Sequence, residues 1–522
     1  MSLIGVNDLS FTYEGSSEPV FEHVSFQIDT DWKLGFTGRN GKGKTTFLRL
    51  LQGLYEYEGT ISASVEFDYF PFAVEDKGAD TLEIILERMP EVEFWQLKRE
   101  LSKLKVKEEV LYRPFETLSF GEQTKALLAA LFLRENHFLL IDEPTNHLDR
   151  EGRKLLGEYL NQKRGFLLVS HDRAFLDSCV DHMLSINRSE IQVQKGNFSV
   201  WYENKQRQDA YELAENTRLK RDIGRLEGAI RKTRSWGNQA EGTKIGGIAD
   251  RLHANVGSRA YIGEKSRKMQ QRRKNLERRQ ERAIEEKSGL LKNVETVQSL
   301  RLEPLTYHKE VLVNARELVV GYGDMTVCGP VSFQICRGDR ISLQGRNGCG
   351  KSSVIKAVLS RAGVIEEDSG SKRSAKKERE RETMEIDGNL ETGSGLVISC
   401  ISQDTSHLCG TLNDYAEKYG VDETLLKSLL RKLDFSREQF EKPMETFSEG
   451  QKKKVLIARS LCQKAHLYIW DEPLNYIDIY SRMQIEELIR QWSPTLLCVE
   501  HDAAFTKAIG AETVELVQGY EK

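Results

Sequence analysis

GRNGKGKTT at residues 38–46 returns as GRNGCGKSS at residues 345–353, and this repetition decides the architecture of the 522-residue chain. Both copies fit G-x-x-x-x-G-K-[ST]. In that pattern the glycines let successive backbone N–H groups converge on phosphates, the lysine reaches the β and γ oxygens, and the hydroxyl ligates magnesium. Gly38, Arg39, Asn40, Gly41, Lys42, Gly43, Lys44, Thr45 and Thr46 form the first loop. Gly345, Arg346, Asn347, Gly348, Cys349, Gly350, Lys351, Ser352 and Ser353 form the second. Two sites for ATP with Mg2+ are expected.

Outward from the loops the likeness continues in the same order. VSFQID (24–29) and VSFQIC (331–336) alternate as strands do, KLGFTG and RISLQG lead into the loops, and TTFLRLLQGL and SSVIKAVLS follow as helices. LSFGEQ (118–123) returns as FSEGQ (447–451), FLLIDEPTNHLD (138–149) as LYIWDEPLNYID (467–478), and SHD (170–172) as EHD (500–502). Short runs that are apolar on both faces and separated by helical segments read as buried parallel strands. The fold class is therefore α/β, with two nucleotide-binding domains in tandem at 1–204 and 301–522. The offset grows from 307 residues at Lys44 and Lys351 to 329 at Asp142 and Asp471. The second copy has thus gained about twenty residues, placed at 366–395, where scarce apolar residues predict a disordered surface loop.

A carboxylate pair ends one apolar strand in each copy, Asp142 with Glu143 and Asp471 with Glu472. The aspartate can hold the magnesium shell while the glutamate faces the water that attacks the γ-phosphorus. His171 and His501, each at another strand end, suit a polar contact to the γ-phosphate or that water.

No apolar run approaches the ~18 to 20 residues that span a bilayer, and MSLIGVNDLSFTYEG lacks a basic region followed by an apolar core, so a cytoplasmic location is expected. The eight cysteines show no metal-site spacing and are expected to be buried, reduced thiols.

The formal charge of −4 conceals a partition: residues 205–292 hold 23 Lys+Arg against 12 Asp+Glu. A surplus of 11 positive charges between acidic flanks points to a polyanion partner. In 205–236, Leu219, Ile223, Leu226 and Ile230 keep heptad a/d spacing, and in 262–292, Ile262, Met269, Leu276, Ala283 and Leu290 stand seven apart. The glycine-rich 237–261 between them predicts the tip of a helical hairpin spanning 205–300. Arg272, Arg273, Lys274, Arg278, Arg279 and Arg282 are the residues expected to touch RNA.

Taken together, the loops, the Leu-Ser-x-Gly-Gln-like signatures, the aspartate-glutamate pairs with Asp149 and Asp478 beyond them, and the switch histidines resemble the ATP-binding cassette superfamily. The resemblance implies that each signature closes over nucleotide held by the other cassette. Lys44 would share its ATP with Ser448, Gly450 and Gln451, and Lys351 with Ser119, Gly121 and Gln123. Tyr13 and Tyr322 would stack on adenine. Thr45 and Asp142 in one half, and Ser352, Gln403 and Asp471 in the other, would hold the metal. Phe72 stands where Gln403 has its glutamine, which predicts unequal sites. Two cassettes with a basic two-helix linker are similar to ABC-F proteins, and YIGEKSRKMQQRRKN, DEPLNYID, VEHD and YFPF resemble the Lsa and Vga type of antibiotic-resistance ABC-F proteins. That implies a partner in the bacterial 70S ribosome (E site, 23S rRNA, P-site tRNA) and displacement of lincosamide, pleuromutilin and streptogramin A drugs by a monomer whose two cassettes pair with each other. A housekeeping translation factor of the same fold and, with less support, the ATPase subunit of a transporter remain alternatives.

Overall fold

Each phosphate loop hangs from the end of a central apolar strand, and the strand order shows why. The computed structural model describes residues 2–15, 19–146, 148–187, 190–242, 301–323, 325–364 and 384–517, with positions 271, 274, 275, 278 and 279. In the first cassette one sheet runs Glu66–Phe70, His137–Asp142, Phe166–Val169, Lys33–Thr37, His182–Asn187 and Glu190–Lys195, parallel except at the last pairing. The second repeats it as Ile398–Ile401, Leu467–Asp471, Leu496–Val499, Arg340–Gln344 and Glu512–Glu515, parallel throughout. The central strands are buried on both faces, as Leu140, Ile141, Leu167, Ile469 and Leu497 show. Phosphate loop, Asp-Glu pair and switch histidine thus leave adjacent strands at their carboxyl ends, where open α/β sheets bind ligands.

A three-stranded antiparallel sheet flanks each of these: Phe21–Asp29, Leu3–Phe11 and Glu58–Ser62 in one half, Met325–Cys336, Val311–Tyr322 and Met384–Thr392 in the other. The last strand corrects the expectation of a disordered loop over 366–395. Met384–Thr392 pairs along Val311–Tyr322, with Leu390 buried against Ala315. An edge strand is held by main-chain hydrogen bonds and one apolar anchor, so composition alone hides it. Residues 366–383 lie outside the described residues.

The thiol expectation also needs correction. None of the eight cysteines forms a disulfide, but Cys409 is exposed and Cys336, Cys400 and Cys462 are half-buried.

The chain divides into two units, Met1–Trp201 with Val297–Lys522, and Tyr202–Thr296. Both cassettes belong to the first. The linker helix runs from Phe198 to Gly242, 45 residues, starting before 205 and continuing past Gly237 where a break was expected. A helical glycine costs about 1 kcal/mol, an amount that a helix already long absorbs. Along it Leu219, Ile223 and Leu226 are half-buried and Ile230 is buried. Positions 274, 278 and 279 are helical, whereas Arg272, Arg273, Arg282, the heptad positions of 262–292 and the tip beyond 242 lie outside the described residues. Among the described residues no helix is long and apolar enough to cross a membrane.

Candidate functional site

Gly43 and Gly350 open the phosphate-loop helices in left-handed conformation, at φ 93° and 89°. A Cβ on Gly43 would lie 2.5 Å from Val20 and one on Gly350 would lie 2.6 Å from Cys328, so no side chain fits either place. The lysines that follow are buried and curl over their own loops. Lys44 Nζ donates to the carbonyls of Gly38 (2.7 Å) and Arg39 (3.1 Å), and Lys351 Nζ to those of Gly345 (2.9 Å) and Arg346 (3.0 Å). Burial lowers the Lys44 ammonium, with Asp478 and Glu143 opposing. The Tyr13 hydroxyl hydrogen-bonds Thr46 (2.7 Å) and Tyr322 donates to Ser353 (3.4 Å), placing an aromatic ring beside each loop.

Thr45 donates to Asp142 Oδ2 (3.1 Å), and in the other half Ser352 stands beside Asp471 and opposes the rise of its carboxyl. Burial raises both aspartates. The adjacent glutamates both adopt positive φ, 48° at Glu143 and 46° at Glu472, a backbone state that stores strain and that non-glycine residues keep where function demands it.

Around these glutamates the halves diverge. Glu472 accepts from Gln403 Nε2 (2.9 Å) and Asn475 Nδ2 (2.7 Å), and His501 Nε2 lies 3.7 Å away, too far for a hydrogen bond. Burial disfavours its charge, but the His501 imidazole and the Lys453 and Lys351 ammoniums outweigh it and hold the carboxyl below its ordinary value. Burial pushes Glu143 up to about 8, Asp142 adding to the effect. Burial and Lys44 also hold His171 well below the usual imidazole value, and its Nε2 lies 3.4 Å from Glu143. Phe72 is buried beneath the Arg88 guanidinium, 4.6 Å from its ring, and gives the first half no polar group where Gln403 serves the second.

The signature serines cap helices. Ser119 and Ser448 each accept from the N–H three residues on, that of Glu122 or Gln451, whose side chain answers to the serine N–H. Glu122, not Gln123, therefore holds the position of Gln451. Gln123 turns into its own cassette and donates to the carbonyls of Phe115 (2.8 Å) and Leu118 (3.3 Å).

Both signatures meet the opposite loop. A Cβ on Gly450 would lie 2.5 Å from the Tyr476 carbonyl oxygen and 3.2 Å from Asn40 Nδ2. Arg39 pairs with Asp434 (3.0 Å) and Arg173 with Glu486 across the same seam. On the other side, a cleft of about 750 Å3 is lined by Ser119, Gly121 and Asp149 of one cassette and Gly348, Lys351, Ser352, Gln403, Glu472 and His501 of the other. Beside it Arg150 donates to Gln344 (3.0 Å) and Arg346 pairs with Glu151 (3.2 Å).

Behind each switch histidine a buried ion pair, Arg153 with Asp172 (3.0 Å) and Arg482 with Asp502 (3.1 Å), ties the helix after Asp149 or Asp478 to the histidine loop. Sequence reasoning missed Asn475, these arginines, and Tyr69, whose hydroxyl donates to Asp142 Oδ2 (2.9 Å). The duplicated D-E-P-x-N-x-x-D run carries a signal for Asn475, and Arg153 and Arg482 stand four residues after Asp149 and Asp478. Nothing in the sequence marks Tyr69.

The ABC transporter family model matches residues 21–146 and 328–475. The chain belongs to that family, as an ABC-F ATPase with two cassettes in tandem that bind and hydrolyse ATP. It is 26% identical to the ribosome protection protein VmlR of Bacillus subtilis (strain 168), over 98% of this chain and 86% of the relative. It is likewise 26% identical to the ATP-binding protein Uup of Caulobacter vibrioides, over 96% and 75%, and 23% identical to ABC transporter F family member 2 of Arabidopsis thaliana, over 99% and 76%. Among solved structures, the complex of archaeal ribosomal stalk protein aP1 with the ribosome recycling factor aABCE1 contains a chain of like fold. The TM-score is 0.61 at 19% identity, over 98% of this chain and 89% of that one.

Proposed function

We propose that this chain is a cytoplasmic, monomeric ribosome protection factor. With ATP bound it occupies the E site of the bacterial 70S ribosome, sets its linker against 23S rRNA and P-site tRNA, and displaces lincosamide, pleuromutilin and streptogramin A drugs. The observation that carries this reading is the surplus of 11 positive charges in residues 205–292, since a spacer between cassettes needs none and contact with RNA phosphates does. Similarity to VmlR over 98% of the chain supports the protective role.

Magnesium belongs to the same reading. Asp471 Oδ1 is buried without a hydrogen-bond partner beside the Ser352 hydroxyl, and Thr45 with Asp142 offers the same hard oxygens, so both places fit a divalent cation. No group of three or more His, Cys, Asp or Glu among the described residues converges to hold a metal alone, so the ion needs phosphate oxygens as well. When bound it supplies charge neutralisation at the transferring phosphoryl group. Glu472, which accepts from Gln403 and Asn475, would orient and deprotonate the attacking water, and Lys351 would hold the phosphates.

Replacing both Glu143 and Glu472 by Gln is expected to trap the protein on 70S particles in ATP. Sedimentation of the doubly substituted protein free of ribosomes would falsify the assignment. The relative Uup at the same 26% identity keeps the housekeeping reading in play. Expression in a susceptible strain separates the two: a resistance factor raises tolerance to the three drug classes and a housekeeping factor does not.

A further inference from the structure

We propose that Tyr69 is a positioning residue of the first ATP site, its phenol fixing the Asp142 carboxylate that faces the metal. The inference rests on the magnesium reading above. The two cassettes are copies, yet they differ at this place. Strand register pairs Tyr69 with Leu140 and Cys400 with Ile469, each two residues before the aspartate, so Cys400 stands where the first half has Tyr69. The Tyr69 hydroxyl donates to Asp142 Oδ2 at 2.9 Å, and Thr45 donates to the same oxygen at 3.1 Å. Two donors on one oxygen fix the rotation of the carboxylate and leave Oδ1 as the oxygen to be presented.

The second half restrains a different group. There Gln403 reaches Glu472, on the side of the water, and Asp471 keeps an unpartnered buried oxygen. The first half has Phe72 in place of that glutamine and so lacks the amide. Its added polar contact comes from within the strand and acts on the metal side.

The test uses the full chain carrying Lys351→Ala, which confines nucleotide to the first site, with Mn2+ as a paramagnetic probe in the presence of ATP. Tyr69→Phe should leave ATP affinity in EDTA within about twofold and raise the Mn2+ concentration for half-saturation about fivefold. Tyr69→Leu, which packs differently, should show the same metal defect. Half-saturation unchanged or lowered in both folded variants overturns the proposal while leaving the magnesium reading intact. Failure of the Lys351→Ala parent to bind Mn2+ with ATP overturns both.

Discussion

The side-chain amide of Asn40 donates to the backbone carbonyl of Tyr476 at 2.8 Å, across 436 residues of chain and from one cassette to the other. The opposite end of the same side chain, Oδ1, meets His171 Nε2 at 3.0 Å and Lys44 Nζ at 3.3 Å. One short side chain thus joins the phosphate loop, the switch histidine and the facing cassette.

Asn40→Ala removes these contacts at once. Net hydrogen bonds are worth about 1 kcal/mol each, and about 1.4 kcal/mol is tenfold in rate, so ATP turnover is expected to fall at least about tenfold, and about a hundredfold if all three contacts persist in the transition state. Because His171 uses the same contact, Asn40→Ala and His171→Ala together should cost less than the sum of the two alone. Additive losses in a double-mutant cycle would argue against the shared role.

Glu472→Gln should abolish most steady-state ATP turnover, by about 100-fold or more at the site it serves. Glu143→Gln should reduce the total much less. The difference follows from surroundings: Gln403 and Asn475 hold Glu472 in place while the His501 imidazole and the Lys453 and Lys351 ammoniums lower its carboxyl against burial, whereas burial, with Asp142 adding to it, pushes Glu143 up to about 8. Single-site turnover, with phosphate release as the readout, checks this.

Arg173→Ala leaves Glu486 buried against the other cassette without its guanidinium partner. Burial already raises that carboxyl and Arg173 opposes the rise. A loss of about 3–5 kcal/mol in stability is expected. Arg173→Met with Glu486→Leu should recover much of it, measured by denaturant midpoint.

Glu100 supplies a pH test. Burial acts to raise this carboxyl, but the Lys103 and Lys163 ammoniums, at 2.8 and 2.5 Å, overcome it and hold the group at about 2 instead of 4.5. A depressed folded value stabilises above the unfolded one, so the contribution is complete above pH 4.5 and disappears as pH falls through about 2. Its size is up to about 3 kcal/mol. The difference in melting temperature between the parent and Glu100→Gln should be flat from pH 5.5 to 7 and shrink in acid.

Arg278 and Arg279 are helical positions in the basic segment. Replacing both by Gln should weaken binding to ribosomal RNA and lower the slope of log affinity against log salt by about 1 for each phosphate no longer neutralised. An unchanged slope in a filter-binding titration would show that these two side chains do not meet phosphate.

Much of the site was legible because its chemistry is local. Lys44, Asp142 and Glu143 stand at fixed distances from a loop or strand end, and duplication at Lys351, Asp471 and Glu472 removed chance. Gln123 misled because a signature helix counts from its capping serine, which puts Glu122 in register with Gln451. Tyr69 gave no signal, since an aromatic residue in a strand reads as packing until its hydroxyl is seen on Asp142. Asn40 and Tyr476 meet only through docking of whole cassettes, which no local spacing encodes. The strand Met384–Thr392 was hidden because main-chain pairing does not require apolar side chains.

The helix that starts at Phe198 and passes Gly237 unbroken has a mechanical meaning. Its 45 residues make a rod of about 68 Å at ~1.5 Å per residue. With such leverage each degree of tilt at one end sweeps the other through about 1.2 Å. Sub-ångström adjustments at its root therefore become movements the size of a covalent bond at its far end.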